Sequence, residues 1–181
     1  LLFTPVLLLI SVYSEEVMVL LYGKGWAASG VYMRLLMYAA VFMVMENLNR
    51  TFIKSLGKGQ PILYLSLIKR SIGIAMLFVV LLISPKYLVP MYVFTAFLGF
   101  LINQIAFAKL THSSFFDNVI QTLWVLLPNL LVLVLYNLIY VAFDSFLLKC
   151  SLSVLIIMIY YAIVLHVLGF RISTLKKFFK R

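Results

Sequence analysis

The chain has 181 residues, of which 65% are hydrophobic and 11% are charged. An ordinary soluble domain is about 45–50% apolar and about 25% charged, so this chain has too much apolar surface for a soluble fold. We therefore expect an integral membrane protein. The net charge of +10 does not by itself indicate nucleic-acid binding, because the positions of Lys and Arg in a membrane protein primarily indicate which loops are cytoplasmic.

The N-terminal sequence Leu1-Leu2-Phe3 has no Met, no basic region and no cleavage motif, so it is not a signal peptide. We expect it to be an internal part of a longer protein, cut near the start of a spanning helix. The lone Cys150 excludes an intramolecular disulfide framework and any multi-cysteine metal site.

Six apolar stretches are long enough to cross a bilayer as helices, which takes about 20 residues each. Their approximate bounds are 1–21, 30–56, 62–83, 87–110, 119–141 and 146–170. Turn-forming residues separate them, among them Gly57 and Pro61 between the second and third stretches. None of the stretches alternates as a barrel strand would. The sequence thus predicts an all-α, polytopic transmembrane helix bundle over residues 1–172.

The basic residues are divided unequally between the two sides of such a bundle. Eleven of the fifteen fall around the second–third turn, the fourth–fifth turn and the C-terminal tail. Since cytoplasmic loops carry the excess, we expect both ends of this chain in the cytoplasm. The tail, residues 173–181, places Leu175, Phe178 and Phe179 on one helical face, which predicts a basic amphipathic helix on the lipid surface. A nucleic-acid arm is disfavoured because no soluble nucleic-acid-binding module accompanies it.

The second stretch has an uninterrupted apolar run of only eleven residues, 35–45, which is too short to cross the hydrocarbon. The span must therefore include Arg34 at one end or the polar residues after 45 at the other. Glu46, Asn49 and Arg50 share a helical face, and Glu46 with Arg50 is an i, i+4 pair. Two interpretations stay open. In one, these residues form a cavity wall in which Arg50 binds an anion and Glu46 adjusts the charge of the site or exchanges a proton. In the other, they form a surface salt bridge.

The third stretch contains the adjacent cations Lys69 and Arg70, about two helical turns after Pro61. Either they face a cavity inside the membrane, or their side chains extend to the membrane surface. Neighbouring residues point about 100° apart on a helix, so one can face inward while the other faces out.

Glu15 and Glu16 have two interpretations: a pair that ends the first helix at the membrane surface, with 17–21 as a short turn, or a cation site. The remaining polar residues of the spans fit helix–helix packing or an aromatic belt better than ligand binding. They are Asn103, Gln104, Asn129, Asn137, Tyr160, Tyr161 and His166.

Catalytic and nucleotide-binding motifs are absent from the sequence. There is no phosphate-binding glycine loop, no dinucleotide fingerprint, no Gly-x-Ser-x-Gly and no His-Glu-x-x-His, and His112 and His166 belong to no ligand motif. We therefore expect no enzymatic activity, no metal and no cofactor.

Three stretches of the first half carry a resemblance to a known family. Residues 20–26 read Leu-Leu-Tyr-Gly-Lys-Gly-Trp and, with Glu15 before them, are similar to the family pattern Ala-Glu-Pro…Leu-Leu-Phe-Gly-x-x-Trp. Residues 32–36 resemble Tyr-Leu-x-Leu-Leu, and residues 47–58 resemble Leu-Asn…Lys-Ala-x-Gly-Arg. The family is the Wzx-type polysaccharide biosynthesis proteins, which are O-antigen and exopolysaccharide repeat-unit flippases of the multidrug/oligosaccharidyl-lipid/polysaccharide exporter superfamily. The Pro after Glu in the family pattern is absent here.

The resemblance implies a two-lobed transporter of 12 or 14 helices that works by alternating access in a bacterial inner membrane. This chain would supply the last six helices, and its partners would be the N-terminal lobe, membrane lipids and the polysaccharide polymerase machinery. The implied substrate is an undecaprenyl-diphosphate-linked oligosaccharide, and the implied driver is an ion gradient. The residues expected to contact it are Arg34, Asn49, Arg50, Lys69 and Arg70, with Glu46 in coupling or charge tuning.

Three other functions remain as alternatives. A drug exporter of the same superfamily would have a cavity dominated by acidic groups. A polysaccharide ligase or glycosyltransferase would need a large loop with catalytic carboxylates, which this sequence lacks. A non-catalytic membrane subunit of polysaccharide assembly would gain nothing from charged groups at membrane depth.

Overall fold

The computed structural model describes residues 3–55, 57 and 59–179, with the backbone alone for Gly59, Val125 and residues 167–179. Within these ranges the chain is all-helical. Seven α-helices follow one another, joined in two places by short 3₁₀ helices, Lys24–Ser29 and Pro85–Tyr87. The α-helices are α1 (Thr4–Val12), α2 (Ser14–Tyr22), α3 (Gly30–Ser55), α4 (Gly59–Ile83), α5 (Leu88–Thr111), α6 (Phe115–Ala142) and α7 (Phe146–Phe179).

Five of these helices are long and apolar enough to cross a membrane, and the bent pair α1–α2 makes up to six. The prediction of an all-α bundle of about six spans is confirmed. Helices α3 to α6 begin and end within four residues of the predicted bounds, because glycines, prolines and polar turns separate the apolar runs.

The first predicted span is not one continuous helix. It breaks at Tyr13, and α2 leaves α1 at an angle of 78°. Residues 17–21, expected as a surface turn, are helical and belong to α2. The chain then turns at Gly23, whose φ of 92° favours glycine, into the 3₁₀ helix Lys24–Ser29. We call α2 together with this 3₁₀ helix the elbow.

The last helix is longer than predicted. α7 continues without a break from Phe146 to Phe179, so the expected separate tail helix is the end of α7. Its 34 residues correspond to about 51 Å, against a hydrocarbon core of about 30 Å. The predicted amphipathic face of the tail, with residues 180 and 181, lies outside the described side chains.

The bundle has two packed groups that share α3. On one side α3 packs along α5, and α4 packs mainly on α5. Aromatic contacts fix the register of α3 on α5, with Phe42 5.4 Å from Phe97 and Phe52 5.4 Å from Phe107 between ring centroids. Residue numbers rise together along both helices, so α3 and α5 are parallel.

On the other side α1 packs between α3 and α6 and also touches α7. The core of this group consists of Leu8, Val12, Tyr13, Val132 and Tyr136. The Tyr13 hydroxyl is 2.9 Å from Ser153 Oγ and 3.3 Å from the Lys149 carbonyl, so the break between α1 and α2 is tied to α7.

Candidate functional site

A cavity of about 680 Å³ opens between α3, α4 and α5. The polar part of its lining is a charged group from α3 and α4, and the apolar part lies further along α4 and at the start of α5. The residues of the charged group are Glu46, Arg50, Ser66, Lys69 and Arg70, and α5 adds the hydroxyl groups of Tyr92 and Thr95. The apolar lining includes Ile74, Met76, Leu77, Val80, Leu88 and Met91. Residues 69 and 80 are about 16 Å apart along the helix, so the cavity is elongated and amphipathic.

Glu46 is the centre of the charged group. Its carboxylate accepts a hydrogen bond from Lys69 Nζ on α4 and lies 3.5 Å from Arg50 Nη1, one turn away on α3. The side chains of Glu46 and Lys69 are both 14% exposed, and Arg50 is 32% exposed. Because the ion pair between Glu46 and Lys69 joins two helices, it holds α4 against α3 at this level.

Arg50 is oriented by α4 as well as by Glu46. Its Nη2 donates a 2.7 Å hydrogen bond to Ser66 Oγ, and the Ser66 hydroxyl in turn donates to the Ile62 carbonyl at 2.8 Å. The guanidinium is therefore held at the cavity wall by two contacts. A preoriented guanidinium is suited to a bidentate contact with a carboxylate or a phosphate.

Two glycines of the lining differ in how much room surrounds them. A Cβ at Gly99 on α5 would lie 3.2 Å from Glu46 Oε2 and 3.4 Å from Lys69 Cδ. A Cβ at Gly73 on α4 would meet nothing within 4 Å. Gly99 thus allows α5 to pack directly against the ion pair, whereas Gly73 faces open space in the cavity.

The charges of the cavity do not cancel. Arg50, Lys69 and Arg70 contribute three positive charges, and Glu46 contributes the one negative charge of the described lining. Arg70 is exposed and has no carboxylate within 4 Å among the described residues. A site with excess positive charge and low-dielectric walls attracts anions, and does so more strongly than the same charges in water.

The structure brings four of the predicted site residues together and separates the other two from them. Glu46, Arg50, Lys69 and Arg70 line one cavity. Arg34 lies elsewhere, where its Nε donates a 3.2 Å hydrogen bond to the Ser11 carbonyl at the end of α1. This carbonyl is freed by the break at Tyr13, so Arg34 stabilises the bend.

Asn49 is also outside the cavity lining. Its Nδ2 is buried without a hydrogen-bond partner in the described structure, and so are both amide atoms of Asn103 on α5. The aromatic register of α3 on α5 places the two amides at the same level. Their position between packed helices agrees with the packing interpretation of Asn103.

Three other polar residues considered from the sequence form hydrogen bonds within the bundle, two of them between neighbouring helices. Gln104 donates to Thr122 Oγ1 at 2.8 Å, Asn137 donates to the Leu133 carbonyl at 2.9 Å, and Tyr160 donates to Asn129 Oδ1 at 3.2 Å. Tyr160 also contacts the Tyr161 ring. No group of three or more His, Cys, Asp or Glu suited to a metal ion occurs in the part of the chain that the structure describes.

Sequence reasoning missed Ser66, Gly99 and the apolar wall. Ser66 is an ordinary polar residue inside a helix until its partner Arg50 is known. Gly99 is one of eight glycines, and only the approach of α5 distinguishes it. The i, i+4 spacing did indicate the Glu46–Arg50 pair, but not the bond from Lys69 across to Glu46.

Comparisons of the chain with protein-family models, with curated proteins and with solved structures find no match.

Proposed function

We propose that the chain forms one wall of the substrate path of a membrane transporter for an anionic, lipid-linked oligosaccharide. The observation that supports this is the amphipathic cavity, in which three cations lie at one end and mostly apolar side chains at the other. A transporter of this kind carries out no covalent chemistry and needs no cofactor in the cavity.

A diphosphate fits the charged end of the cavity. It carries several negative charges and acceptor oxygens, and Arg50 and Lys69 are oriented donors at the wall. A cavity of 300–1,000 Å³ is the usual size for a bound small molecule, so 680 Å³ accommodates a headgroup rather than a whole glycolipid. Arg70 supplies a further charge from the exposed side, and Glu46 limits the excess of positive charge.

The apolar end of the cavity favours a lipid-linked anion over a soluble one. Met76, Leu77 and Val80 offer no partner to sugars or to water, but they are suited to an isoprenoid or acyl chain next to the diphosphate. The undecaprenyl-diphosphate-linked oligosaccharide implied by the resemblance has this combination of parts. A cationic drug is a poorer fit, since Glu46 is already paired with two cations.

The proposal includes the surroundings of the chain. The cavity side would face an N-terminal lobe of the same transporter, in a bacterial inner membrane, with both ends of this chain in the cytoplasm. Transport would proceed by alternating access of the two lobes, driven by an ion gradient, and would deliver repeat units to a polysaccharide polymerase.

The test is Arg50→Ala in the full-length protein, produced in its own host. If Arg50 binds the diphosphate, the loss of one charged hydrogen-bonding contact, about 1.5–3 kcal/mol, lowers display of surface polysaccharide about tenfold or more. Polysaccharide on the cell surface and the amount of protein in the membrane are measured together. Arg50→Lys keeps the positive charge but loses the two parallel N–H donors of the guanidinium, so its polysaccharide display should lie between that of the unchanged protein and that of Arg50→Ala.

Lys54→Ala is the matched control, because Lys54 is an exposed cation on the same helix, one turn beyond Arg50 and outside the cavity. It should leave display unchanged. Normal display in Arg50→Ala at a normal membrane level would contradict the proposal. Equal loss in both variants would show that α3 needs its charge for insertion rather than for substrate.

A further inference from the structure

The break between α1 and α2 lies at one end of the bundle, not in its middle. Tyr13 contacts the carbonyl of Lys149, the fourth residue of α7, and its ring lies 5.7 Å from Tyr140, two residues before the end of α6. The Tyr13 hydroxyl also contacts Ser153, the eighth residue of α7, so the break lies within about 10 Å of the start of α7 along its axis. α2 leaves at 78° from this level, so it runs across the end of the bundle.

The start of α3 holds the elbow in this direction. Gly30, the first residue of α3, is so close to α2 that a Cβ there would lie 2.6 Å from Glu15 Cα. One turn further on, Arg34 donates to the Ser11 carbonyl on the other side of the break. Two successive turns of α3 thus contact both arms of the bend, and the 78° angle is fixed by tertiary contacts.

The last turn of α2 and the 3₁₀ helix after it carry apolar side chains that are uncovered. Leu20, Leu21, Tyr22 and Trp26 are 76%, 64%, 63% and 54% exposed, and the Tyr22 and Trp26 rings lie 5.7 Å apart. α2 is flanked by two exposed charged residues, Glu15 at its start and Lys24 just after its end. A helix with exposed Leu and aromatic residues, flanked by charges and perpendicular to a spanning neighbour, has the composition of a helix at a membrane surface.

Two other contacts at the same end of the bundle indicate that this end lies at the membrane interface. Lys86 Nζ lies 5.2 Å from the Tyr87 ring in the α4–α5 turn, and Lys149 Nζ lies 4.2 Å from the Tyr140 ring beside the α6–α7 turn. Tyr and Trp concentrate where headgroups meet acyl chains, and lysines beside them reach the headgroups. The elbow would extend this aromatic layer past the edge of the helices.

We infer that the elbow lies in the plane of the membrane interface and binds lipid, with Leu20, Leu21, Tyr22 and Trp26 at the boundary between headgroups and acyl chains. It is a surface anchor that fixes the start of α3, and it is not the second half of a spanning helix. The inference does not depend on the proposed transport activity, because it follows from the bend and the exposed residues alone.

The tryptophans of the chain, Trp26 and Trp124, provide the test. Trp124 is 69% exposed on α6, nine residues after its first residue, so it reports on a deeper level of the same bilayer. The full-length protein, Trp26→Phe and Trp124→Phe are placed in phosphatidylcholine vesicles whose acyl chains carry bromine near the headgroup or near the chain end. The difference in emission between the full-length protein and each variant is the emission of the substituted tryptophan. Comparing this difference with and without brominated lipid gives the quenching of that tryptophan.

The expected result is that Trp26 emission falls most with bromine near the headgroup, and Trp124 emission falls more with bromine deep in the chains. Aqueous acrylamide should quench Trp26 only weakly. Strong quenching of Trp26 by acrylamide with none by brominated lipid would place the elbow in water and overturn the inference. Quenching of Trp26 that is strongest with deep bromine would also overturn it, since α2 would then enter the hydrocarbon as part of a broken span.

Discussion

Gly99 is the residue that allows α5 to touch the ion pair of the cavity. A methyl group there would meet Glu46 Oε2, while the other oxygen of the same carboxylate, Oε1, accepts from Lys69 and lies near Arg50, so moving Glu46 aside would disturb both contacts. The space is tighter than ordinary packing by a few tenths of an ångström. The conformational freedom of glycine is secondary here, and its small volume is what the contact requires.

Gly99→Ala should therefore destabilise the protein by about 1–3 kcal/mol, the usual cost of overpacking. Gly73→Ala is the matched control, because it adds the same methyl group to the same cavity but in open space. There the better helix propensity of Ala should stabilise the protein by roughly 0.5–1 kcal/mol. Thermal unfolding of the two variants in detergent measures both effects, and equal shifts would show that the ion pair tolerates displacement.

The charged residues were predictable from the sequence to different degrees. The short apolar run 35–45 required the span to include either Arg34 or the polar residues after 45, and the spacing of Glu46 and Arg50 predicted a contact that the structure contains. Arg34 entered the same argument from the other end of that run, but its partner is the Ser11 carbonyl. No pattern within α3 could indicate this, because the carbonyl becomes available only when α1 ends at Tyr13.

The end of α1 is held by a hydroxyl that bonds to a distant helix. Tyr13 lies in the buried core of α1, α6 and α7, and it contacts Ser153 at 2.9 Å and the Lys149 carbonyl at 3.3 Å. Tyr136 belongs to the same core and is fully buried, but its hydroxyl has no hydrogen-bond partner in the described structure. The two tyrosines thus differ in hydrogen bonding and hardly at all in burial.

Phenylalanine at each position should separate these effects. Tyr13→Phe removes a bonded hydroxyl and leaves Ser153 without its partner, so we expect a loss of about 1 kcal/mol of stability. Tyr136→Phe removes an unpaired hydroxyl from a buried site, so stability should be unchanged or higher by about 1 kcal/mol. The comparison uses thermal unfolding of purified protein, and a larger loss in Tyr136→Phe would reveal a bonded water or ion at that hydroxyl.

Helix boundaries were predictable where the sequence carries turn chemistry and not where it lacks it. Gly57 and Pro61 mark the α3–α4 turn, and Pro85 marks the α4–α5 turn, so those bounds agree with the structure. Nothing comparable precedes Tyr13, where the neighbours Val12 and Ser14 have middling helix propensity and form no turn motif. Tertiary contacts from α3 and α7 produce this break, and they are not encoded locally.

The arrangement of the whole bundle makes a test of its topology possible, because Cys150 is the single cysteine of the sequence. In a Cys150→Ser background, cysteines at Ser55, the last residue of α3, and at Ser114, in the α5–α6 turn, lie at one end of the bundle. Cysteines at Ser84 and Ser145 lie in turns at the other end. The distribution of Lys and Arg predicts that the first pair is cytoplasmic.

A membrane-impermeant maleimide added to intact cells should therefore label the Ser84→Cys and Ser145→Cys variants and not the other two. After the cells are opened, all four should react. Labelling of the Ser55→Cys and Ser114→Cys variants alone in intact cells would show that the chain has the opposite orientation. Labelling of one or of three sites would show that α4 or α6 does not cross the membrane. Labelling of Ser84→Cys together with Ser114→Cys, or of Ser55→Cys together with Ser145→Cys, would show that α5 does not cross it.

Pairing between helices is the part of the molecule that the sequence did not reveal. The apolar runs predict how many helices cross the bilayer, but in lipid any apolar face can meet any other. α3 packs along α5 over most of its length and touches α4 much less. This choice depends on Phe42 and Phe52 and on the small volume of Gly99. The cavity is a consequence of that pairing, since α4 is left in contact with α3 chiefly at the level of the charges.

Because Glu46 already pairs with Lys69 and Arg50, an anion at the proposed site would have to compete with a carboxylate of the chain itself. A singly charged ion such as chloride offers Lys69 and Arg50 no more than Glu46 does, and it must also be stripped of water, so it gains little by exchange. A ligand with two or more charges on one small group can displace the carboxylate and still engage Arg70. The cavity would then select by valence, and the abundant monovalent anions of the cell would leave it unoccupied.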